Sequence, residues 1–281
     1  MMKKIAWVTD STAFLDEELF HHPDVYVVPM TILIDGMEYV DGKDLTPSQL
    51  FEKIKQCKTP PKTSQPSVGA FTKLYQQLAK NYDQVISLLV SAKLSGTVSS
   101  SRQAAKLVSI PVLTIDSKIL SYPLSVLIKQ SISWNSKGVE GYEEEIHKLI
   151  DTNEAYVLVG SLEQLHRSGR MSGLTYVMGS LLNVKPIISV ENGLLQMKEK
   201  ARTMRSAKEK IYSYIRKSHH ANQLKEIYLL YGLNDALAEE WKQELKREFH
   251  DVTINCYPLG SVIGVHAGEH TIGVSWFNGL V

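Results

Sequence analysis

The chain has 281 residues, is 43% hydrophobic and 22% charged, and carries a formal net charge of +1. That composition fits a globular protein long enough for two domains, and a charge near zero without a Lys/Arg run gives no field for nucleic acid. No stretch approaches membrane-spanning length, so no stable membrane insertion is expected, and Cys57 and Cys256 follow no metal-ligand or redox spacing and are expected as free buried thiols. The apolar run Ile5–Val8 is interrupted at Asp10. It is expected to be a first strand, not a leader peptide, and a cytoplasmic location is expected with it.

Thr9-Asp10-Ser11-Thr12 follows that strand, at the carboxyl end where open α/β sheets place ligands. Aspartyl-nucleophile phosphatases carry a second Asp two positions on, and here Thr12 stands in that place. Asp10 or Ser11 is therefore expected to cap a helix over Leu15–Phe20. Val25–Val28 reads as a second strand. Thr31–Ile34 and Met37–Val40 flank Asp35-Gly36, a two-residue hairpin signal. Thr46-Pro47-Ser48-Gln49 spells a capping box with Pro at the first helical position, opening a helix that ends near Cys57. After the stiff linker Thr59-Pro60-Pro61-Lys62 comes Thr63-Ser64-Gln65-Pro66-Ser67, too polar and Pro-broken for a strand or a helix interior. A Thr-Ser pair in such a loop suits oxygen binding, and ordinary turn chemistry explains it equally well.

An amphipathic helix with Val68, Phe71, Leu74, Tyr75 and Leu78 on one face leads into Val85–Val90, a strand-length apolar run. It ends in Ser91-Ala92-Lys93-Leu94-Ser95-Gly96-Thr97. A helix down to Val108 and a strand Val112–Ile115 complete a βαβ unit of a parallel sheet. The turn presents backbone N–H groups at a helix N-terminus, Ser95 and Thr97 add hydroxyls, and Gly96 permits close approach. Two readings stand: a site for a small anionic group, or a helix cap without a ligand. Helices follow near Pro123–Trp134 and Tyr142–Ile150, and a domain boundary is placed near Asp151-Thr152-Asn153. Residues 1–153 are thus expected as an α/β domain, mainly a parallel sheet flanked by helices. Residues 154–281 read as an α+β domain with a mixed sheet. Their elements are a strand Ala155–Gly160, a short helix Leu162–His166 stopped at Ser168-Gly169, a hairpin across Glu191-Asn192-Gly193, helices Ser206–Ser218 and Asp235–Phe249, and strands Glu226–Leu230 and Val252–Asn255.

His266-Ala267-Gly268-Glu269-His270 spells the zinc-peptidase pattern H-x-x-E-H, which needs both histidines on one helical face. Gly260, Gly264, Gly268 and Gly273 punctuate the stretch, so no helix and no metal site are expected there. His266 remains able to donate a hydrogen bond to a carboxylate. Ser95 with His266 could form a serine hydrolase, although Lys93 stands where a nucleophile elbow has its first Gly. No nucleotide-binding glycine motif occurs. Arg202, near the end of a hairpin strand, could reach an anion, and Arg170, just past a Gly stop, is expected to be exposed.

Taken in order, Val8-Thr9-Asp10-Ser11-Thr12, Lys62-Thr63-Ser64-Gln65-Pro66-Ser67, Leu94-Ser95-Gly96-Thr97, Ile115-Asp116-Ser117, Ser168-Gly169-Arg170, Lys185-Pro186 and Gly264-Val265-His266-Ala267-Gly268 resemble the DegV family over essentially the whole chain. These are the fatty-acid-binding subunits of bacterial fatty acid kinase. The resemblance implies a two-domain α/β protein with no cofactor and a long-chain fatty acid between the domains, its tail in an apolar tunnel. It implies a carboxylate held by Thr63, Ser95, the Gly96 amide, Arg202 and His266, with Ser64 adjacent. It further implies an ATP-binding kinase subunit as partner, docked through Arg170, that converts the acyl carboxylate to acyl phosphate. Two departures stand out: Glu269-His270 replaces a Gly-Pro-Gly-like turn, and Tyr122-Pro123-Leu124 occupies a segment that is small-residue-rich in the family.

Overall fold

A computed structural model describes residues 3–171 and 184–280. The chain forms two compact units, one of Met1–Ile150 with Gly260–Val262, the other of Asp151–Leu259 with Ile263–Val281.

The first unit runs β1 (Ile5–Asp10), α1 (Glu17–Phe20), β2 (Val25–Val28), β3 (Thr31–Ile34), β4 (Met37–Val40), α2 (Pro47–Gln56), β5 (Lys62–Ser64), α3 (Val68–Leu78), β6 (Gln84–Leu89), α4 (Thr97–Ala105), β7 (Val112–Asp116), α5 (Tyr122–Ser136) and α6 (Tyr142–Ile150). Four strands pair in the order β2-β1-β6-β7, all parallel. Every residue of β1 is buried, as expected of a parallel strand covered on both faces. Ala6, Val8, Val85 and Leu89 pack on Phe71, Tyr75 and Leu78 of α3 and on Val98 and Ala104 of α4. Trp7 points the other way, and its Nε1 donates to Ser131 Oγ of α5 at 2.8 Å. A chain of hydroxyls, buried except for the half-buried Thr114, fixes α4 to the sheet: Tyr75 Oη lies 2.7 Å from both Ser87 Oγ and Ser101 Oγ, and Ser101 Oγ lies 2.7 Å from Thr114 Oγ1. A separate three-stranded sheet has the order β4-β3-β5. The turn residues Asp35 and Gly36 both have positive φ, +48° and +83°, as a type I′ hairpin requires.

The second unit contains β8 (Asn153–Leu158), α7 (Leu162–Arg167), β9 (Lys185–Glu191), β10 (Leu194–Ala201), α8 (Met204–Asn222), β11 (Glu226–Tyr231), α9 (Asp235–Glu248), β12 (Thr253–Pro258), α10 (Ser261–Ala267) and β13 (Ile272–Phe277), the first two residues of α10 being counted with the first unit. Its sheet has the order β10-β9-β8-β13-β11-β12 and is mixed: only β11 and β12 are parallel neighbours. Trp241, Leu245, Ile211 and Ile215 of α8 and α9 pack on Ile187, Leu229, Val274 and Trp276.

Four sequence expectations are corrected. Lys62–Ser64 is a strand, not a loop, because β3 supplies its hydrogen-bonding partners. Helix α1 is capped by Asp16, whose side chain accepts from Leu19 N, whereas Asp10 is wholly buried and turned inward. The glycine-punctuated tail does form a helix, α10, flanked by Gly260 and Gly268 at φ +82° and +87°. Finally, Cys57 and Cys256 are free but only half-buried.

Candidate functional site

At the carboxyl edge of the parallel sheet, Asp10 binds the strand ends together. Its carboxylate accepts from Val90 N at 2.8 Å, Thr12 N at 3.0 Å and Thr12 Oγ1 at 2.6 Å. Burial nevertheless pushes its carboxyl above the ordinary range, against these three hydrogen bonds. Asp41 is buried beside it and is pushed up to about 6, mainly by burial and further by the Asp10 charge, while the Ser11 hydroxyl and the Gly42 N–H act in the opposite direction. These contacts make Asp10 an internal brace for the loops above the sheet.

The Ser91–Thr97 turn stands on that brace. Leu94 N and Ser95 N donate to Ser91 O at 3.0 and 3.1 Å, which winds the turn into the start of α4. Gly96 is the N-cap and offers no side chain to the first-turn N–H groups, while Ser95 Oγ pairs with Thr97 Oγ1 at 2.8 Å. The helix therefore presents positively polarised N–H groups and two coupled hydroxyls, which is a donor set for an anion.

Thr63 and Ser64 arrive on β5, in register with Ile32 and Thr31 of β3. The next residue closes the gap to α4: a Cβ added at Gly96 would lie 2.6 Å from Gln65 Nε2 and 2.8 Å from its Cδ. The Thr63–Gln65 segment and the Ser95–Thr97 turn are thus one corner of the first unit. The sequence singles out Thr63, Ser64, Ser95 and Gly96 separately. Gln65 escapes such a reading, because its only signal is its place between Ser64 and Pro66.

In the second unit, His266 lies in the last turn of α10. Burial, and then the Arg170 guanidinium, push its imidazole down to about 4, so it is neutral at pH 7. Arg170 is half-buried, not exposed, and Nη1 donates to Ser168 O at 2.5 Å. Burial also lowers its own pKa. Arg202 is exposed at the bend after β10, next to Thr203, which caps α8.

Past Gly268 the chain turns sharply. Gly268 N closes on Gly264 O at 2.8 Å, Ser161 N donates to Ala267 O at 2.9 Å, and Leu233 N donates to Glu269 O at 2.8 Å. His270 lies outside the helix with its side chain 73% exposed, and its Nε2 is 3.4 Å from Glu269 Oε1. The i, i+4 helical face that H-x-x-E-H chemistry needs is therefore broken between the two histidines. Among the described residues no group of three His, Cys, Asp or Glu side chains could hold a metal ion.

The first unit is thus a four-stranded parallel α/β unit with a hydroxyl-rich helix N-terminus, and the second is a six-stranded mixed sheet with helices and a half-buried histidine, His266. The family model described as "Uncharacterised protein, DegV family" matches residues 4–279, and the chain belongs to the DegV family. It is 30% identical over 280 residues to a DegV domain-containing protein of Listeria monocytogenes, covering 98% of this chain and 99% of that one. Among solved structures it is similar to a DegV family protein of Thermus thermophilus described for fatty acid binding, with TM-score 0.89, 32% identity and coverage of 98% and 99% of the two chains. It is also similar to DegV of Bacillus subtilis, described as a fatty acid binding protein, with TM-score 0.89, 30% identity and coverage of 98% and 99%.

Proposed function

We propose that this protein binds a long-chain fatty acid and presents its carboxylate to a separate ATP-dependent kinase subunit for acyl phosphate formation. The observation that carries the reading is the donor corner built by Thr63, Ser64, Ser95 and the Gly96 N–H, in a chain matched over 98% of its length by a fatty-acid-binding relative. Arg202 and His266, in the second unit, are assigned to the carboxylate on the family resemblance alone.

The energetics divide into two parts. Burying the methylenes of a sixteen-carbon chain in an apolar tunnel supplies roughly 10 kcal/mol before ordering terms, at about 0.8 kcal/mol per CH₂. The head group adds little net affinity of its own, but an ionised carboxylate must be hydrogen-bonded to be tolerated away from water. Hydroxyls, a helix N-terminus and a guanidinium meet that need. A neutral His266 donates one further bond, and a nearby carboxylate raises its pKa from about 4.

Arg170 is assigned to kinase docking, and the action of its guanidinium on His266 supports a contact close to the head-group residues of the second unit. The test is reconstitution with a fatty acid kinase ATP-binding subunit, ATP and palmitate, with acyl phosphate trapped by hydroxylamine. Product is expected only when both proteins are present, with a reduced yield in Arg170→Ala at unchanged palmitate binding. Ester hydrolysis by this chain alone, dependent on Ser95, would replace the carrier with a hydrolase.

A further inference from the structure

Strand β5, which carries Thr63, is three residues long and pairs with β3 at only three positions, Thr31↔Ser64, Ile32↔Thr63 and Leu33↔Lys62. So short an edge strand has little intrinsic hold on its register, and slipping by one residue would turn Thr63 to the opposite face. Its register is supported from outside the strand. At the tip of the β3–β4 hairpin, Asp35 accepts four hydrogen bonds from the segment leading into β5. Lys58 N donates to Oδ1 and Oδ2 at 3.1 and 3.0 Å, and Thr59 N and Thr59 Oγ1 each donate to Oδ1 at 2.9 Å. The same N–H groups hold the Asp35 carboxyl below the usual range.

Between this clasp and the strand lie Pro60 and Pro61, a pair with restricted φ that transmits the position of Thr59 to Lys62. Asp35 and Leu33 belong to one hairpin, so the clasp and the Leu33↔Lys62 pair fix β5 against a single reference. We propose that Asp35 is a positioning residue for the carboxylate site: it sets the register of β5 on β3 and so the placement of the Thr63 hydroxyl. The inference rests on the assignment of Thr63 to the head group.

The test uses Asp35→Gly, which keeps the positive φ of the turn and deletes the clasp, with Asp35→Asn as the variant that retains one acceptor oxygen. Thr63→Ala serves as the control for the head-group assignment. Affinities for palmitate and hexadecanol are measured side by side by displacement of a fluorescent lipid, with melting temperature followed in parallel. The palmitate-to-hexadecanol affinity ratio is expected to fall about fivefold in Asp35→Gly and less in Asp35→Asn, on the scale of one misplaced hydrogen bond. The hexadecanol affinity itself should hold, which a loss of stability alone would not produce selectively. A ratio that falls in Thr63→Ala but not in Asp35→Gly overturns the positioning role. A ratio unchanged in Thr63→Ala overturns the head-group assignment and the inference with it.

Discussion

The Cα of Gly96 lies against the carboxamide of Gln65, so closely that a Cβ at position 96 would be 2.6 Å from Nε2 and 3.1 Å from Oε1. The obstacle is the far end of an exposed side chain, which can swing away. Gly96→Ala should therefore change global stability by no more than about 1 kcal/mol. It should nonetheless weaken palmitate binding relative to hexadecanol, because the displaced Gln65 no longer holds the Thr63–Gln65 segment against α4. A double-mutant cycle with Gln65→Ala checks this: the two substitutions should be strongly non-additive, since each removes the same contact. Additive effects would show that Gln65 has no part in the site.

Ser95→Ala should remove about 1.5–3 kcal/mol of head-group stabilisation, the range for a hydrogen bond to a charged group. Most of the tail affinity should survive, since tail burial is a separate and larger contribution. The greater defect should appear in acyl phosphate formation, where the carboxylate must be aligned with the γ-phosphate. Parallel calorimetry and kinase assays separate the two effects, and covalent labelling of Ser95 by a fluorophosphonate would contradict a purely hydrogen-bonding role.

His266 is held at about 4 first by burial and then by repulsion from Arg170. Removing the guanidinium with Arg170→Ala should raise the imidazole pKa, and bound palmitate should raise it further by adding a negative charge. An NMR titration of His266 in the three states measures both shifts. A pKa that stays in place in Arg170→Ala would leave burial as the whole cause.

Two perturbed groups, the half-buried His266 and the buried Asp41, give stability opposite slopes in acid. For His266 the folded value, about 4, is below the ordinary 6.5, so its contribution is fully present above about pH 6.5 and is lost as pH falls toward 4. For Asp41 the folded value, about 6, is above the ordinary 3.8, so its contribution is fully present below about pH 4 and is lost as pH rises through 6. Each amounts to roughly 3 kcal/mol at most. Denaturant midpoints between pH 4 and 6.5 should therefore fall more steeply on acidification in Asp41→Asn and less steeply in His266→Gln than in the wild type. The same slope in all three proteins would show that neither group is perturbed.

The repetitive parts of the fold are readable in the sequence, because each of those elements carries its own signal. Ile5–Val8 and Val85–Val90 are apolar runs of strand length, Thr46–Gln49 is a capping box confirmed by the bonds between Thr46 and Gln49, and Asn192-Gly193 turns the β9–β10 hairpin with φ +51° and +81°. Elements that depend on distant partners are not readable in the same way. β5 has no strand-like composition and exists through β3. β13 is absent from the sequence expectations, although it lies between β8 and β11 with all six residues buried; its Gly273 answers to a close backbone approach, since a Cβ there would be 2.8 Å from Tyr156 O. In α10 the glycines look like breakers, yet Gly260 and Gly268 delimit the helix while Val262, Ile263 and Val265 are buried and offset the propensity loss at Gly264. For the candidate site, residue types are legible and contacts are not. Ser95 and Gly96 announce a helix N-terminus, whereas the approach of Gln65 and the influence of Arg170 on His266 arise only in three dimensions.

Mass spectrometry of an organic extract of the purified, denatured protein decides whether this chain carries fatty acid. A fatty acid carrier should yield long-chain fatty acid in near-stoichiometric amount. An extract without fatty acid, from a protein that also fails to bind added palmitate, stearate or oleate, would contradict that role.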